Sequence, residues 1–349
     1  MSLPRLLRSL AVVASAAVLI GGGGFAPPAA PAPTGEGSPG DTDIAYVGRW
    51  DRTSADFVAS TWAGGYLRVG FTGTTVKVRQ RNSIDLWASI DGREFVRFRN
   101  VRDTVDLTPT RLAAGRHTLV LSYRQVAGSY RGDAVFGGLV LDEGAGTFAP
   151  ARSPKLIEFV GDSITAGATT TDLALSDYGW LVGERLGVEH TQIAQGGACL
   201  VEVSAAQSTR GIACAGLQAR FSGISAADGA AGWDFSRYQA NAVVINLGTN
   251  DGGHGVSTAT YQSNFSDLLR QVRARYPQAY IFALNFKQRF VAQVRAAITA
   301  AHNAGDARIA FVDTNGWVTP ADLTDSVHPN DAGHRKIAGL LAPIISAKL

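Results

Sequence analysis

Two cysteines, Cys199 and Cys214, are all that this chain of 349 residues contains. Neither a CxxC pair nor a His pair at ligand spacing goes with them, so a cysteine-built metal site is excluded. Charge is thin as well: 17% of residues are Asp, Glu, Lys or Arg, and the formal net charge is only +3. No run of five or more Lys and Arg occurs, so nucleic acid is ruled out as a main partner. The apolar run Leu10–Ile20 falls short of the about 18 residues a membrane anchor needs, and Pro27 and Pro28 follow soon after. No serine stands in a GxSxG frame, which disfavours the nucleophile elbow of the α/β-hydrolases.

What is present begins with that same apolar run. Arg5 and Arg8 precede it, and Gly21–Gly24 and a stretch rich in Ala and Pro follow. This is the layout of a secretory signal peptide, residues 1–30, cleaved somewhere between Ala26 and Ala32. No cysteine lies near the end of the run, so a lipoprotein anchor is not expected. The mature chain is therefore expected to be extracellular, monomeric and without stable membrane association. In an oxidising compartment Cys199 and Cys214 are expected to pair. Closing a loop of that length stabilises by about 3 kcal/mol in the chain-entropy model.

At 46% hydrophobic residues the chain can build a sizeable core, and its length suggests two domains. Residues 31–43, mostly Pro, Gly, Ala, Thr and Ser, read as a disordered linker. Across residues 44–146 short alternating runs are separated by turns: Tyr66–Phe71, Thr75–Gln80, Trp87–Ile90, Phe95–Phe98, His117–Tyr123 and Gly137–Leu141. Asp91-Gly92 marks a hairpin turn. Many short strands without a helix between them predict a small antiparallel β-sandwich, jelly-roll-like in plan. After a proline-bearing linker at 147–154 the rhythm changes. Strand-like runs at Leu156–Val160, His190–Ile193, Ala242–Leu247, Ala279–Leu284 and Ile309–Val312 alternate with helical patterns. The helical patterns are Tyr178–Leu186, Tyr261–Tyr276, Phe290–Asn303 and Ala332–Ser346. Residues 155–349 are thus expected to form an α/β/α domain around a mostly parallel sheet.

Chemistry-bearing residues gather at the carboxyl ends of those strands, where open α/β sheets place their ligands. Ser163 follows the first strand in Gly161-Asp162-Ser163-Ile164-Thr165, which leads into an expected helix start. Gly196 and Gly197 follow the second strand, and either can bring a backbone N–H close to a ligand. Gly248-Thr249-Asn250-Asp251 follows the third, and the Asn250 amide can donate to an oxyanion. Asp325-Ser326-Val327-His328-Pro329 precedes the last helix, with His328 able to act as a base and Asp325 able to hold its other nitrogen. Nucleophilic serine catalysis needs these parts: nucleophile, base, orienting group and oxyanion donors. Each motif alone is weak, since serine caps helices and Asn-Asp makes turns.

Taken together and in order, GDSIT, the glycine, GTND and DSVHP resemble the four blocks of the SGNH (GDSL-type) hydrolases. The resemblance covers the chain from about Lys155 to its end. It implies a flavodoxin-like sheet and an esterase with Ser163 as nucleophile, His328 as base and Asp325 orienting it. The oxyanion donors it implies are the Ser163 N–H, the N–H of Gly197 in preference to Gly196, and Asn250. A β-sandwich ahead of such a domain is similar to carbohydrate esterase family 2. Arg49-Trp50-Asp51-Arg52, Trp62-Ala63-Gly64-Gly65-Tyr66 and Phe71-Thr72-Gly73-Thr74 resemble that family's N-terminal domain. The reading is a secreted serine esterase that removes acetyl groups from a plant polysaccharide such as xylan or glucomannan, with no metal or organic cofactor.

Two alternatives stand beside it: an SGNH lipase or aryl esterase on short acyl esters, and a carbohydrate-binding protein with an inactive hydrolase domain. Trp317, Asp162 and His254 are candidates for contact with the substrate. Trp233 is a possible sugar-stacking residue, Asp162 and Asp251 are expected to brace the active-site loops, and His334 is expected to be structural. The Cys199–Cys214 bridge would tether the loop after Gly197.

Overall fold

Runs in which apolar and polar residues alternate become strands with one face buried. Eight of them occupy the first half of the chain: β1 (Ala45–Val47), β2 (Val58–Ser60), β3 (Tyr66–Gly73), β4 (Val76–Ile90), β5 (Val96–Asp106), β6 (Gly115–Tyr123), β7 (Ala134–Leu141) and β8 (Thr147–Phe148). The computed structural model describes residues 32–124 and 134–349, so the expected signal peptide lies outside the described residues. All pairings in this domain are antiparallel, in the order β1-β3-β6-β4-β7-β2, with β5 added on β4 and β8 on β3.

The runs around Val76–Gln80 and Trp87–Ile90, expected as separate strands, are one strand of 15 residues. The first part of β4 pairs with β7 and its last part with β6, with register shifts against β5 between Gln80 and Leu86. Such irregularities bend a strand, so one strand serves both sides of the core. Val69, Phe71, Val78, Leu86, Leu121 and Phe136 fill that core and are wholly buried. Asp91 and Gly92 both have positive φ, 55° and 69°, as a type I′ hairpin turn requires.

The segment expected as a disordered linker up to residue 43 is tied down from Thr34 onward. Gly35 bridges to Thr147, and buried Asp41 accepts from the Gly37 N–H and the Thr147 hydroxyl. One buried carboxylate thus organises a stretch whose composition reads as unstructured. Thr147 and Phe148 belong to β8, so the expected linker at 147–154 starts two residues inside the first domain.

In the second half, β9 (Leu156–Gly161), β10 (Glu189–Ala194), β11 (Ala242–Asn246), β12 (Tyr280–Leu284) and β13 (Ile309–Val312) form a wholly parallel sheet in the order β10-β9-β11-β12-β13. This is the flavodoxin-like order, and its switch point falls beside β9. The helices are α1 (Tyr178–Leu186), a single turn α2 (Leu217–Arg220), α3 (Thr258–Arg275), α4 (Val291–Asn303) and α5 (Asp331–Ser346). Tyr178 and Val182 of α1 and Ile337, Leu341 and Ile345 of α5 cover one face of the sheet with Ile157, Phe159 and Val244. Phe265 and Leu268 of α3 and Val294 and Ala297 of α4 cover the other with Val160, Val243 and Ile245. Three layers result. The helix expected to start at Ser163 is instead a run of turns from 163 to 169, and α1 begins only at Tyr178. There Asp177 caps it by accepting from the Trp180 N–H at 2.8 Å.

Candidate active site

The turn after β9, the segment after β11 and the loop before α5 converge at the carboxyl end of the sheet. Ser163 sits on the first of them, with its backbone pinned by Ala168 N–H donating to its carbonyl. Its Oγ lies 2.8 Å from His328 Nε2, and His328 Nδ1 lies 2.8 Å from Asp325 Oδ2. The other oxygen, Oδ1, accepts the N–H groups of Val327 and His328 at 2.7 and 2.8 Å. These bonds pull the Asp325 carboxyl down to about 2, the bond from His328 contributing most. An ionised acceptor on Nδ1 fixes the proton there, so Nε2 faces the serine hydroxyl as a base.

Asn250 Nδ2 donates one bond to the Ala198 carbonyl at 2.7 Å. A carboxamide nitrogen carries two hydrogens, so the second is free for a ligand. Gly197 has φ of +74°, with open space where a side chain would stand. Both donors are braced from behind. Asp251 accepts from Leu200 N–H at 3.1 and 2.9 Å and from Val201 N–H at 3.1 Å, and burial raises its carboxyl to about 6. The Cys199–Cys214 disulfide is formed, and the Cys214 sulfur lies 3.2 Å from the Gly197 carbonyl oxygen. Asp162 is fully buried and accepts from the Ile164 N–H at 2.9 Å. Burial lifts its carboxyl to about 6, against the pull of that N–H, Thr249 and His328.

The structure therefore brings Ser163, His328 and Asp325 into one hydrogen-bonded line and ties Asn250 to the loop after Gly197. Asp162 lies under that line rather than facing a substrate, because its carboxylate is enclosed and bonded to the nucleophile turn. Trp317 is half-buried and packs 6.4 Å from Phe286, in the same apolar cluster as Val327. His254 is not brought to the cluster. It is buried, its Nδ1 lies 2.8 Å from Ser208 Oγ, and its ring adjoins the disulfide. Its expected contact with substrate gives way to a structural place beside the disulfide, behind the loop that follows Gly197. Cys199, Cys214 and His254 lie close enough to hold a metal, but disulfide sulfurs have no thiolate to offer one. His334 is also buried, accepts from the Tyr178 N–H, and is held down to about 4 by that burial.

Several residues that support the site had no mark in the sequence. Thr171 N–H donates to Asp331 Oδ1 at 2.9 Å, and the Thr169 hydroxyl to the Pro329 carbonyl at 3.3 Å. These bonds tie the turn carrying Ser163 to the residues just after His328. The link spans about 160 positions of sequence, and nothing in either local pattern announces it.

Residues 159–336 match the GDSL-like Lipase/Acylhydrolase family, and residues 46–150 match the Carbohydrate esterase 2 N-terminal domain. The chain belongs to the GDSL-like lipase/acylhydrolase family, whose members are carboxylic ester hydrolases. Its two domains together are those of a family 2 carbohydrate esterase.

A cellulase/esterase, CelE, of Acetivibrio thermocellus is 28% identical over 342 residues, covering 90% of this chain and 40% of that protein. The chain thus spans about two fifths of that curated relative's length. Among solved structures, a family two carbohydrate esterase from Clostridium thermocellum in complex with cellohexaose is similar. It has a TM-score of 0.75 and 26% identity, covering 87% of this chain and 98% of that one. A Corynascus thermopiles (Myceliophthora fergusii) carbohydrate esterase family 2 enzyme with a carbohydrate binding domain has a TM-score of 0.72 and 25% identity, covering 87% and 99%.

Proposed function

We propose that the protein is a secreted serine esterase that removes O-acetyl groups from carbohydrate, with an acetylated plant polysaccharide such as xylan or glucomannan as substrate. The observation that carries this reading is the unbroken line Ser163 Oγ–His328 Nε2, His328 Nδ1–Asp325 Oδ2, both contacts at 2.8 Å. The family 2 N-terminal domain ahead of it supports a saccharide as the alcohol part of the ester.

Ser163 Oγ attacks the ester carbonyl while His328 Nε2 takes its proton. The imidazolium is steadied by the ionised Asp325, which keeps its negative charge throughout. Charge on the carbonyl oxygen is met by the N–H groups of Ser163 and Gly197 and by the second hydrogen of Asn250. Donors of this kind are worth roughly 3–4 kcal/mol each. Collapse of the tetrahedral species breaks the bond to the sugar oxygen, which leaves with the proton from His328. Water then loses a proton to His328 and attacks the acyl-enzyme, and collapse of the second tetrahedral species breaks the bond to Ser163 Oγ, which takes that proton back from His328 as acetic acid leaves. Export would take the protein to its polysaccharide; among the described residues no helix is long and apolar enough to cross a membrane.

The test is acetate release from acetylated xylan and acetylated glucomannan, run beside a chain-length series of nitrophenyl esters, with Ser163→Ala as control. Serine-dependent release of acetate from a polysaccharide, falling steeply beyond short acyl chains, is the expected result. Activity confined to long acyl or aryl esters would overturn the substrate class.

A further inference from the structure

A cleft of about 290 Å³ opens between the segment running through β1 and the loop that leads into β11. Leu156, the first residue of β9, forms part of its floor. The nucleophile follows the other end of that strand, so the cleft stands roughly 17–20 Å from the triad. It is a second place on the molecule.

Three arginines, Arg52, Arg152 and Arg237, line the cleft, and no aspartate or glutamate does. Two of them have weak partners outside it: Arg152 lies 3.4 Å from Glu189, and Arg237 lies 3.9 Å from Asp234. Arg52 forms no ion pair with a carboxylate and donates no hydrogen bond among the described residues, although its guanidinium rests over the Tyr46 ring at 5.1 Å. Arg237 likewise sits 5.2 Å over the Trp233 ring, while one of its nitrogens donates to the Trp50 carbonyl at 3.0 Å. Trp233 is 7% exposed, and its enclosed indole N–H has no acceptor among the described residues.

Guanidinium groups are only weakly hydrated and sit favourably over aromatic rings. A cluster of them with only long carboxylate contacts, and with Arg52 unpaired among the described residues, favours a planar anion that can accept two parallel bonds, which is the geometry of a carboxylate. Aromatic walls suit the apolar face of a sugar ring. The net charge of +3 for the whole chain is too small to make this patch a mere sample of a basic surface.

We propose that this cleft is a non-catalytic binding site for a carboxylated saccharide, a uronate residue of an acidic glycan. It would hold acidic chains while the triad acts elsewhere on them. The saccharide part of the proposal rests on the function proposed above; the carboxylate part rests on the arginines.

The experiment measures binding by calorimetry in the Ser163→Ala protein, so that hydrolysis plays no part. The probes are a glucuronate-bearing xylo-oligosaccharide, the same oligosaccharide with its carboxyl reduced to an alcohol, free glucuronate, and inorganic sulfate. Binding of the acidic oligosaccharide is expected, with about tenfold weaker affinity once the carboxyl is reduced or Arg52 is replaced by Gln. Arg52 has no hydrogen bond or ion pair to lose among the described residues, only its contact with the Tyr46 ring, and a matching melting temperature for Arg52→Gln confirms that only the cleft changed. Arg237→Gln serves as the second variant, with the same expected loss. Equal affinity for the acidic and reduced oligosaccharides, or binding indifferent to both arginines, would overturn the proposal. Sulfate binding as tightly as the acidic oligosaccharide would also overturn it, leaving a simple anion site. Esterase activity is read separately in the wild-type protein, so failure of the acetyl esterase reading and failure of the cleft are told apart.

Discussion

Trp87 of β4 donates its indole N–H to Asp172 Oδ1 at 3.0 Å, joining the β-domain to the loop that follows the nucleophile. Arg97 of β5 adds a bond to the Thr171 carbonyl at 3.2 Å, and its guanidinium lies over the Trp87 ring. Thr171 in turn donates to Asp331, three residues past His328. The β-domain thus holds the loop that connects nucleophile and base. Replacing Trp87 by Phe keeps the packing and removes one hydrogen bond, worth ~1 kcal/mol. A fall of about fivefold in kcat with KM nearly unchanged is expected. An unchanged kcat would mean that the loop holds its shape without the β-domain.

Asp325 is half-exposed, yet its carboxyl is held down to about 2 by His328 and two backbone N–H groups. A carboxyl whose folded value lies below its unfolded one stays ionised, and its contribution persists, until pH falls through about 2. Mild acidification therefore leaves Asp325 ionised. In Asp325→Asn the plateau of kcat/KM is expected to drop by up to about 10⁴-fold. A pH–rate profile of the two proteins measures that plateau, and a full plateau in the variant would remove Asp325 from the mechanism.

Much of this arrangement was legible in the sequence, and the reasons differ by part. Strands of the parallel sheet stand out as short apolar runs because they are buried on both faces, and Ile309–Val312 is read to the residue. Tyr178–Leu186 is equally plain, bounded by Asp177 as cap and Gly187 in the left-handed conformation. Three of the four motifs follow strands directly and the fourth precedes the last helix, and the topology brings these positions together. What sequence did not carry was the coupling between domains. Trp87 and Asp172 are 85 positions apart, and neither stands in a pattern that names its partner. The turn at 163–169 does not become the helix that a serine before Ile164 and Thr165 suggests, although such a serine has the look of a helix cap. The carbonyl of Asp162 does accept from Ala166 N–H, but the helix stops after that one turn.

The Cys199–Cys214 bridge and Asp251 hold the same loop from two sides, so their loss should show in both stability and rate. Replacing both cysteines by Ser removes about 3 kcal/mol in the chain-entropy model, and a melting temperature lower by several degrees is expected. Asp251→Ala leaves the Leu200 and Val201 N–H groups without their acceptor. The loop carrying Gly197 then loosens, and kcat is expected to fall by about 10-fold to 10²-fold. Phenyl ester turnover and thermal melts measure the two effects, and a fully active Asp251→Ala would detach this carboxylate from the oxyanion loop.

Arg49 enters the catalytic domain from the strand-bearing half and meets Glu158 of β9 at 3.3 Å, both side chains fully buried. Tyr238 and Tyr276 donate to Glu158 at 2.5 and 2.9 Å, and Arg49 donates to the carbonyls of Phe221 and Gly223. Every charge is thus answered by a partner, and Glu158 lies on the same strand that delivers Ser163. Removing one member of a buried pair strands the other, at a cost of about 3–5 kcal/mol. Glu158→Gln and Arg49→Met are each expected to lower the melting temperature sharply. The double variant should recover part of the loss, since no charge is then left uncompensated. If each single change proved harmless, the two domains would be held by their apolar contacts alone. Recovery in the double variant, with esterase activity intact, would instead show that the ion pair fixes the docking of the domains and plays no part in the chemistry.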